Sequence, residues 1–382
     1  TGSIVNPFGF AQGIGSIYPV FVNDQQGNIV RDESGNPVWD NGEGFSEFNI
    51  GSRPINQGRH AIQELFLNRE LDQDNTYGFR MFGEYEILDG LTFKLLYGRD
   101  LTDAFESEYE NPIIGDAQPT ARLSQRRART DTETFTQTLS YIKSFGNHNL
   151  DFTAGHESFE TSINDLDGLA TEQTATGIFE FANFSNIVDL DGATFDRALE
   201  GYFFRALYNY DNKYYLNASV RTDGSSVFQS DVRWGTFYAF GASWRVDQEQ
   251  FIQDIDWINQ LKIRGSYGEI GNDNLGTIAS WYLSQPLFLI TSNAAEPAII
   301  FDSLGNSNLL WETSESFDVA LEFGLFDNFI EGSVEYYQRN STDLLYELPI
   351  SPSNGINIVP VNAGDIRNSG WELGLTAHLF NT

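Results

Sequence analysis

Four histidines, His60, His148, His156 and His378, are the first residues to weigh for catalysis or metal binding. A zinc hydrolase of the His-Glu-x-x-His type needs two imidazoles one helical turn apart, with a glutamate between them as general base. His156-Glu157 meets Glu160 where the second histidine would stand, so that site is not encoded. Asp189, Asp191 and Glu200 occupy positions 1, 3 and 12 of a calcium-loop frame. Position 6, where the sharp turn requires glycine, is Thr194, and position 5 is Ala193, so the frame fails. Nucleophile-elbow, P-loop and dinucleotide patterns are missing, and carboxylates are too abundant for any pair to be singled out as a glycosidase dyad. No catalytic residue, metal ligand or cofactor is therefore assigned, and an enzyme is not expected.

Ligand contact is a better use for the distinctive side chains. Trp39, Phe45, Trp281 and Tyr282 fall in or beside long connections, where rings stack on sugars or pack against peptides; loop packing or an aromatic girdle is the alternative. Arg205, Arg221 and Arg264 fall on strand faces directed away from the apolar side chains, where pairing with neighbouring acids competes with ligand recognition.

The elements that must position these residues are strands. From about Thr76 onward one unit recurs: two alternating strands of about ten to thirteen residues, a tight turn, then a long polar segment. Tyr77 to Glu86 pairs with Leu91 to Leu101 across Leu88-Asp89-Gly90. Thr132 to Lys143 pairs with His148 to Phe159 across Phe145-Gly146-Asn147, and Ala198 to Tyr210 with Lys213 to Thr222 across Asp211-Asn212. Trp234 to Val246, Gln260 to Gly268, Ser314 to Phe323, Phe329 to Arg339 and Gly370 to Phe380 continue the series, roughly a dozen strands near the ~10-residue length of a tilted membrane strand. Long connections are expected at about Thr102 to Thr130, Thr161 to Phe195, Ile270 to Thr313 and Asn340 to Ser369. Short turns at one end and long loops at the other are the pattern of an outer-membrane barrel. Gln248 to Asn259, with Phe251, Ile252, Ile255 and Ile258 at helical spacing, predicts one short amphipathic helix. Residues 1–75, dominated by turn signals such as Gln26-Gly27-Asn28 and Ser34-Gly35-Asn36-Pro37, read as an external loop region leading into barrel hairpins over 76–382.

Composition agrees with strands. Phe 31, Tyr 17, Trp 7 and Gly 35 favour sheets and turns, while Cys 0 removes disulfides, thiolate zinc sites and thiol nucleophiles. A formal charge of -32 argues against a nucleic-acid partner. No apolar run approaches the ~18 residues of a membrane helix, which says nothing about a membrane protein made of strands. The chain opens on Thr1 without an initiator Met or signal peptide, so it is expected to begin inside a longer product or after processing.

An ordered series of motifs then resembles a known family. Tyr202-Phe-Phe-Arg205, Tyr208-Asn-Tyr-Asp-Asn-Lys-Tyr-Tyr-Leu216, Arg221-Thr-Asp-Gly-Ser-Ser-Val-Phe228, Arg233-Trp-Gly-Thr-Phe237, Ser243-Trp-Arg245 and Leu261-Lys-Ile-Arg-Gly-Ser-Tyr-Gly268 with Gly271-Asn272 are similar to the SusC-like branch of TonB-dependent outer-membrane transporters. Leu310-Trp-Glu-Thr313, Phe323-Gly-Leu-Phe326, Val334-Glu-Tyr-Tyr337 and Asn368-Ser-Gly-Trp-Glu372 follow in the same order, and Ile17-Tyr-Pro-Val20 and Tyr85-Glu-Ile-Leu-Asp-Gly-Leu91 extend the likeness toward the N-terminus. The resemblance implies an all-β chain, a partial segment of a transmembrane antiparallel β-barrel of about 22 strands with a plugged lumen. It also implies outer-membrane lipid around the barrel, a SusD-like surface lipoprotein above it, oligosaccharides or peptides as substrate, and energy from TonB. No plug, TonB-contacting segment or closing strands are recognised, and His378-Leu-Phe-Asn-Thr382, which parallels Gly324-Leu-Phe-Asp-Asn328, reads as a hairpin turn whose second strand is missing. The competing functions are a passive porin or surface glycan-binding protein built on the same strands, and a soluble acidic glycan-binding β-protein.

Overall fold

The computed structural model describes residues 18–379 apart from 294, 295, 352, 354 and 357. Ile17 and the turn expected at Phe380-Asn381 lie outside the described residues. The elements run α1 (Ala61–Leu67), β1 (Arg69–Leu88), β2 (Leu91–Glu110), β3 (Arg122–Phe145), β4 (His148–Gln173), β5 (Phe184–Tyr210), β6 (Tyr214–Ser225), β7 (Trp234–Arg245), α2 (Gln250–Gln253) and β8 (Ile258–Asn272). They continue through β9 (Leu287–Asn293), β10 (Glu296–Ser303), β11 (Glu312–Leu325), β12 (Ile330–Thr342), β13 (Leu345–Pro349), β14 (Ile358–Asn362) and β15 (Ile366–Ala377). Eleven strands make one sheet in the order β1-β2-β3-β4-β5-β6-β7-β8-β11-β12-β15, with β9/β10 and β13/β14 as separate hairpins. The pairings from β5 through β15 are antiparallel.

The turns form where the residues allow them. Asp211 and Asn212 both take φ 54, as a two-residue hairpin with right-handed strand twist requires. Gly90, at φ 80, closes the first hairpin, and a Cβ there would stand 2.2 Å from the Ile142 carbonyl oxygen. Only glycine fits a left-handed turn that another strand approaches so closely.

Alternation sorts the strands into two faces. Tyr202, Phe204, Leu216, Phe240, Ile263, Phe317, Val319, Leu373 and Leu375 are large, apolar and exposed, and cross-strand register places them together on one face. The opposite face carries ion pairs. Exposed apolar side chains over this many neighbouring strands match a lipid-facing surface, with the polar side turned inward.

Two of the predicted loops are instead strand. β2 runs on to Glu110 and β3 begins at Arg122, while β4 runs to Gln173 and β5 begins at Phe184, leaving connections of residues 111–121 and 174–183. Those strands reach 20 to 27 residues. Their outer portions are joined by polar side chains: Arg127 with Asp103 at 2.8 Å, Arg126 with Asp165 at 2.7 Å, and Asn164 with Thr194 at 3.0 Å. A ladder with polar pairs on both faces has no apolar alternation, which is why these stretches read as loop. The helix expected over Gln248 to Asn259 shrinks to a 3-10 turn, Val246–Gln248, and the single turn of α2. Asp247 ties the segment down, accepting from Arg245 at 2.7 Å and from the Leu261 N–H at 3.4 Å, so the chain must return at once to the sheet.

By internal contacts the chain divides into unit 1, residues 1–77, 101–130 and 163–194, and unit 2, residues 78–100, 131–162 and 195–382. Unit 1 has a core of Tyr109, Ala121, Leu123, Ala170 and Phe184. In unit 2, Val227, Phe228, Leu283, Leu309 and Leu345 form the core beneath the connections that follow β6, β8 and β12.

Near the start of unit 1, Asp24 accepts N–H bonds from Asn28 at 2.8 Å and Gln26 at 2.9 Å, and Asp32 repeats the arrangement with Asn36 and Ser34. The bond from the Asn28 amide, like that from Asn36, holds each carboxyl below its ordinary pKa. His60 caps α1 through Nδ1, which accepts the Gln63 N–H at 3.2 Å. Burial, helped by the Arg53 charge, lowers the His60 pKa below its ordinary 6.5. A histidine with a depressed folded-state pKa contributes stability that is full above the unfolded value and declines as pH falls below it. Lowering the pH from 7.5 to 5.5 is therefore expected to weaken the cap. Hydrogen exchange at Gln63, corrected for intrinsic rates, would show reduced protection, and unchanged protection would contradict this.

Candidate functional site

The loop end of the charged face in unit 2 gathers residues from four strands. Cross-strand register sets Arg221 opposite Phe203, and the guanidinium lies 5.6 Å from the ring centroid. Two residues on, and so on the same face, Asp223 accepts from Arg221 Nε at 2.7 and 2.8 Å. Arg221 also reaches Glu157 on β4 at 3.2 Å.

Beside this pair is a buried one. One terminal nitrogen of Arg197 contacts both oxygens of Asp273, at 2.7 and 2.9 Å, and the Ser225 hydroxyl donates to the same carboxylate at 2.5 Å. Trp311 is held by its indole N–H, which donates to the Arg233 carbonyl at 2.9 Å, and by rings of Phe228 and Phe237 at 5.2 and 5.7 Å. Glu157, Arg197, Arg221, Asp223, Asp273 and Trp311 line a concavity of about 440 Å³. A neighbouring one of about 340 Å³ shares Arg197 and adds Asp131, Glu133, Glu160 and Asp196. With both charge signs and an indole, the surface suits a polar ligand held by hydrogen bonds and stacking. Its Arg-held carboxylates are engaged in ion pairs, an arrangement for positioning rather than acid–base chemistry.

Of the residues picked out from the sequence, Arg221 is in this concavity. Arg264 is held by three carboxylates, Glu322 at 2.8 Å, Asp318 at 3.1 Å and Glu335 at 2.6 Å. Arg205 is exposed on the same strand face as Arg221 and has no ion-pair partner among the described residues. The loop aromatics do not join them. Tyr282 is half-buried, its hydroxyl accepting the Asp196 N–H at 2.8 Å, and Trp281 precedes it in the turn Ile278–Tyr282. Trp39 belongs to unit 1, packed against Phe21, His60 and Phe66 at 4.7, 5.0 and 6.1 Å, and Phe45 bridges Ile50 there. Arg197, Asp223, Asp273 and Trp311 were not picked out from the sequence. The Arg221-x-Asp223 spacing on a strand was the available signal, whereas Arg197 and Asp273 are 76 residues apart.

Residues 15–382 match the model of a family described as TonB dependent receptor-like, beta-barrel. TonB-dependent receptor P3 of Formosa agariphila is 29% identical over 315 residues, covering 79% of this chain and 31% of that protein. TonB-dependent receptor SusC of Bacteroides thetaiotaomicron is 28% identical over 247 residues, covering 63% of this chain and 24% of that protein. Among solved structures, the RagAB peptide transporter superposes with a TM-score of 0.77 at 23% identity, covering 92% of this chain and 38% of that one, a likeness of fold. The chain thus spans well under half the length of these proteins.

Proposed function

The chain belongs to the TonB-dependent receptor β-barrel family, and from that membership we propose that it forms wall and external connections of an outer-membrane importer for oligosaccharides or peptides. In this reading a SusD-like lipoprotein sits on the external side, TonB supplies energy through the rest of the protein, and residues 76–382 provide barrel hairpins after an external region over 1–75. The observation that supports it best is the two-faced sheet, apolar and exposed on one side and lined with ion pairs on the other. Arg221 and Trp311 are the ligand contacts offered by the concavity, with Arg205 as a further exposed cation. Trp39, Phe45, Trp281 and Tyr282 contribute to ligand contact by shaping loops.

Uptake by the full-length protein in its outer membrane tests this. Labelled oligosaccharides or oligopeptides are expected to enter with saturable kinetics and to stop entering when the TonB system is inactivated. Entry that stays linear in concentration and survives inactivation would indicate a passive porin instead. Binding without entry would indicate a surface glycan-binding protein.

A further inference from the structure

Unit 1 contains a pocket of about 470 Å³ framed by the start of β1, the end of β2, the start of β3 and the connection 174–183. Its wall is held rigidly. Asn183 Nδ2 donates to the carbonyls of Ala175 at 2.7 Å and Ile178 at 2.9 Å, and Asn183 Oδ1 accepts the Ala175 N–H at 3.0 Å. Gln125 donates to the Phe179 carbonyl at 3.2 Å. The Phe179 ring meets Tyr109 edge-on at 4.7 Å, and the Arg69 guanidinium lies over it at 4.9 Å. Tyr109 is itself buried, with its hydroxyl donating to Gln173 at 2.8 Å.

Arg69 stands apart from the ion-paired arginines of this acidic chain. Among the described residues, ten arginines hold carboxylates within 4.0 Å. Arg69 lines a cavity and has no ion-pair partner among the described residues. A guanidinium held over the Phe179 ring still has N–H groups to offer a carboxylate. Leu71, Phe105 and Ile178 supply apolar walls, and Glu180 places one negative charge on the lining. That charge repels polyanions more than a ligand with a single carboxylate.

We propose that this pocket binds a ligand carrying one carboxylate, seated on the Arg69 edge, with its uncharged part against Leu71, Phe105 and Ile178. A uronic acid unit and a peptide C-terminus share that chemistry. The site is independent of the importer reading, because binding is measured directly on the purified full-length protein. Two probe pairs separate the sources: galacturonic acid against galactose, each with a single ring, and tetra-alanine with a free against an amidated C-terminus. In titration calorimetry the carboxylated member of one pair is expected to bind about tenfold tighter, the scale of one charge-assisted hydrogen-bonded contact. Arg69→Gln should erase that preference, and Arg69→Lys, which keeps the charge without the planar fork, should retain part of it. The pair that shows the preference identifies the source. Equal binding within both pairs, including none, or a preference that survives Arg69→Gln, overturns the proposal.

Discussion

Asp273→Ala is expected to loosen the loop end of the charged face more than any other single change there. The side chains of Arg197 and Asp273 are 14% and 9% exposed, so truncating the acid leaves a largely buried guanidinium without its carboxylate. Breaking a buried pair in this way costs about 3–5 kcal/mol. The cost is greater here because Ser225, fully buried, loses the acceptor of its hydroxyl. Limited proteolysis of the full-length protein is the direct readout: the connection 273–311 should be cut faster in the variant, and substrate uptake should fall with it. Asp273→Asn, which keeps an acceptor for Ser225 but not the charge, should fall between. Wild-type protease resistance in Asp273→Ala would sink the assignment of Asp273 as the anchor.

In unit 1 the comparable position is Glu64. It is 1% exposed and accepts from Arg59 twice, at 3.0 and 2.9 Å, and from the His60 N–H at 3.1 Å. Arg59 also contacts Asp116, so this carboxylate helps dock α1 onto the connection 111–121. The docking is close: a Cβ on Gly115, at φ +102, would stand 2.8 Å from Glu64 Oε2. Glu64→Ala is expected to destabilise this local unit by about 3–5 kcal/mol, as for removal of one partner of a buried pair. Hydrogen exchange should then accelerate across both α1 and residues 111–121, with the sheet of unit 2 unaffected. Glu64→Gln should give a smaller change of the same kind. If exchange rose in α1 alone, the docking role would be wrong.

The strands that alternate apolar with polar residues were legible, and β6, β7, β11, β12 and β15 lie close to their expected bounds. Their signal is local, since one exposed apolar face imposes a period of two on the chain itself. The outer portions of β2 to β5 were not legible, because their pairing depends on ions and hydroxyls supplied by another strand. The same difference governs the candidate site. Arg221 and Arg264 were picked out because strand alternation alone assigns their face. Arg197, Asp273 and Trp311 acquire significance only when β5, β8 and the approach to β11 converge.

By itself, then, the sequence determined the strand series, its tight turns, the family and the face on which each arginine falls, because turn chemistry and side-chain alternation act between near neighbours. Only the tertiary structure decided how far the strands extend, which acids hold which arginines and where Arg69 is left without a carboxylate among the described residues. Those outcomes depend on register between segments distant in the chain, and a charge becomes informative only once its partners, or the lack of them, are set in space.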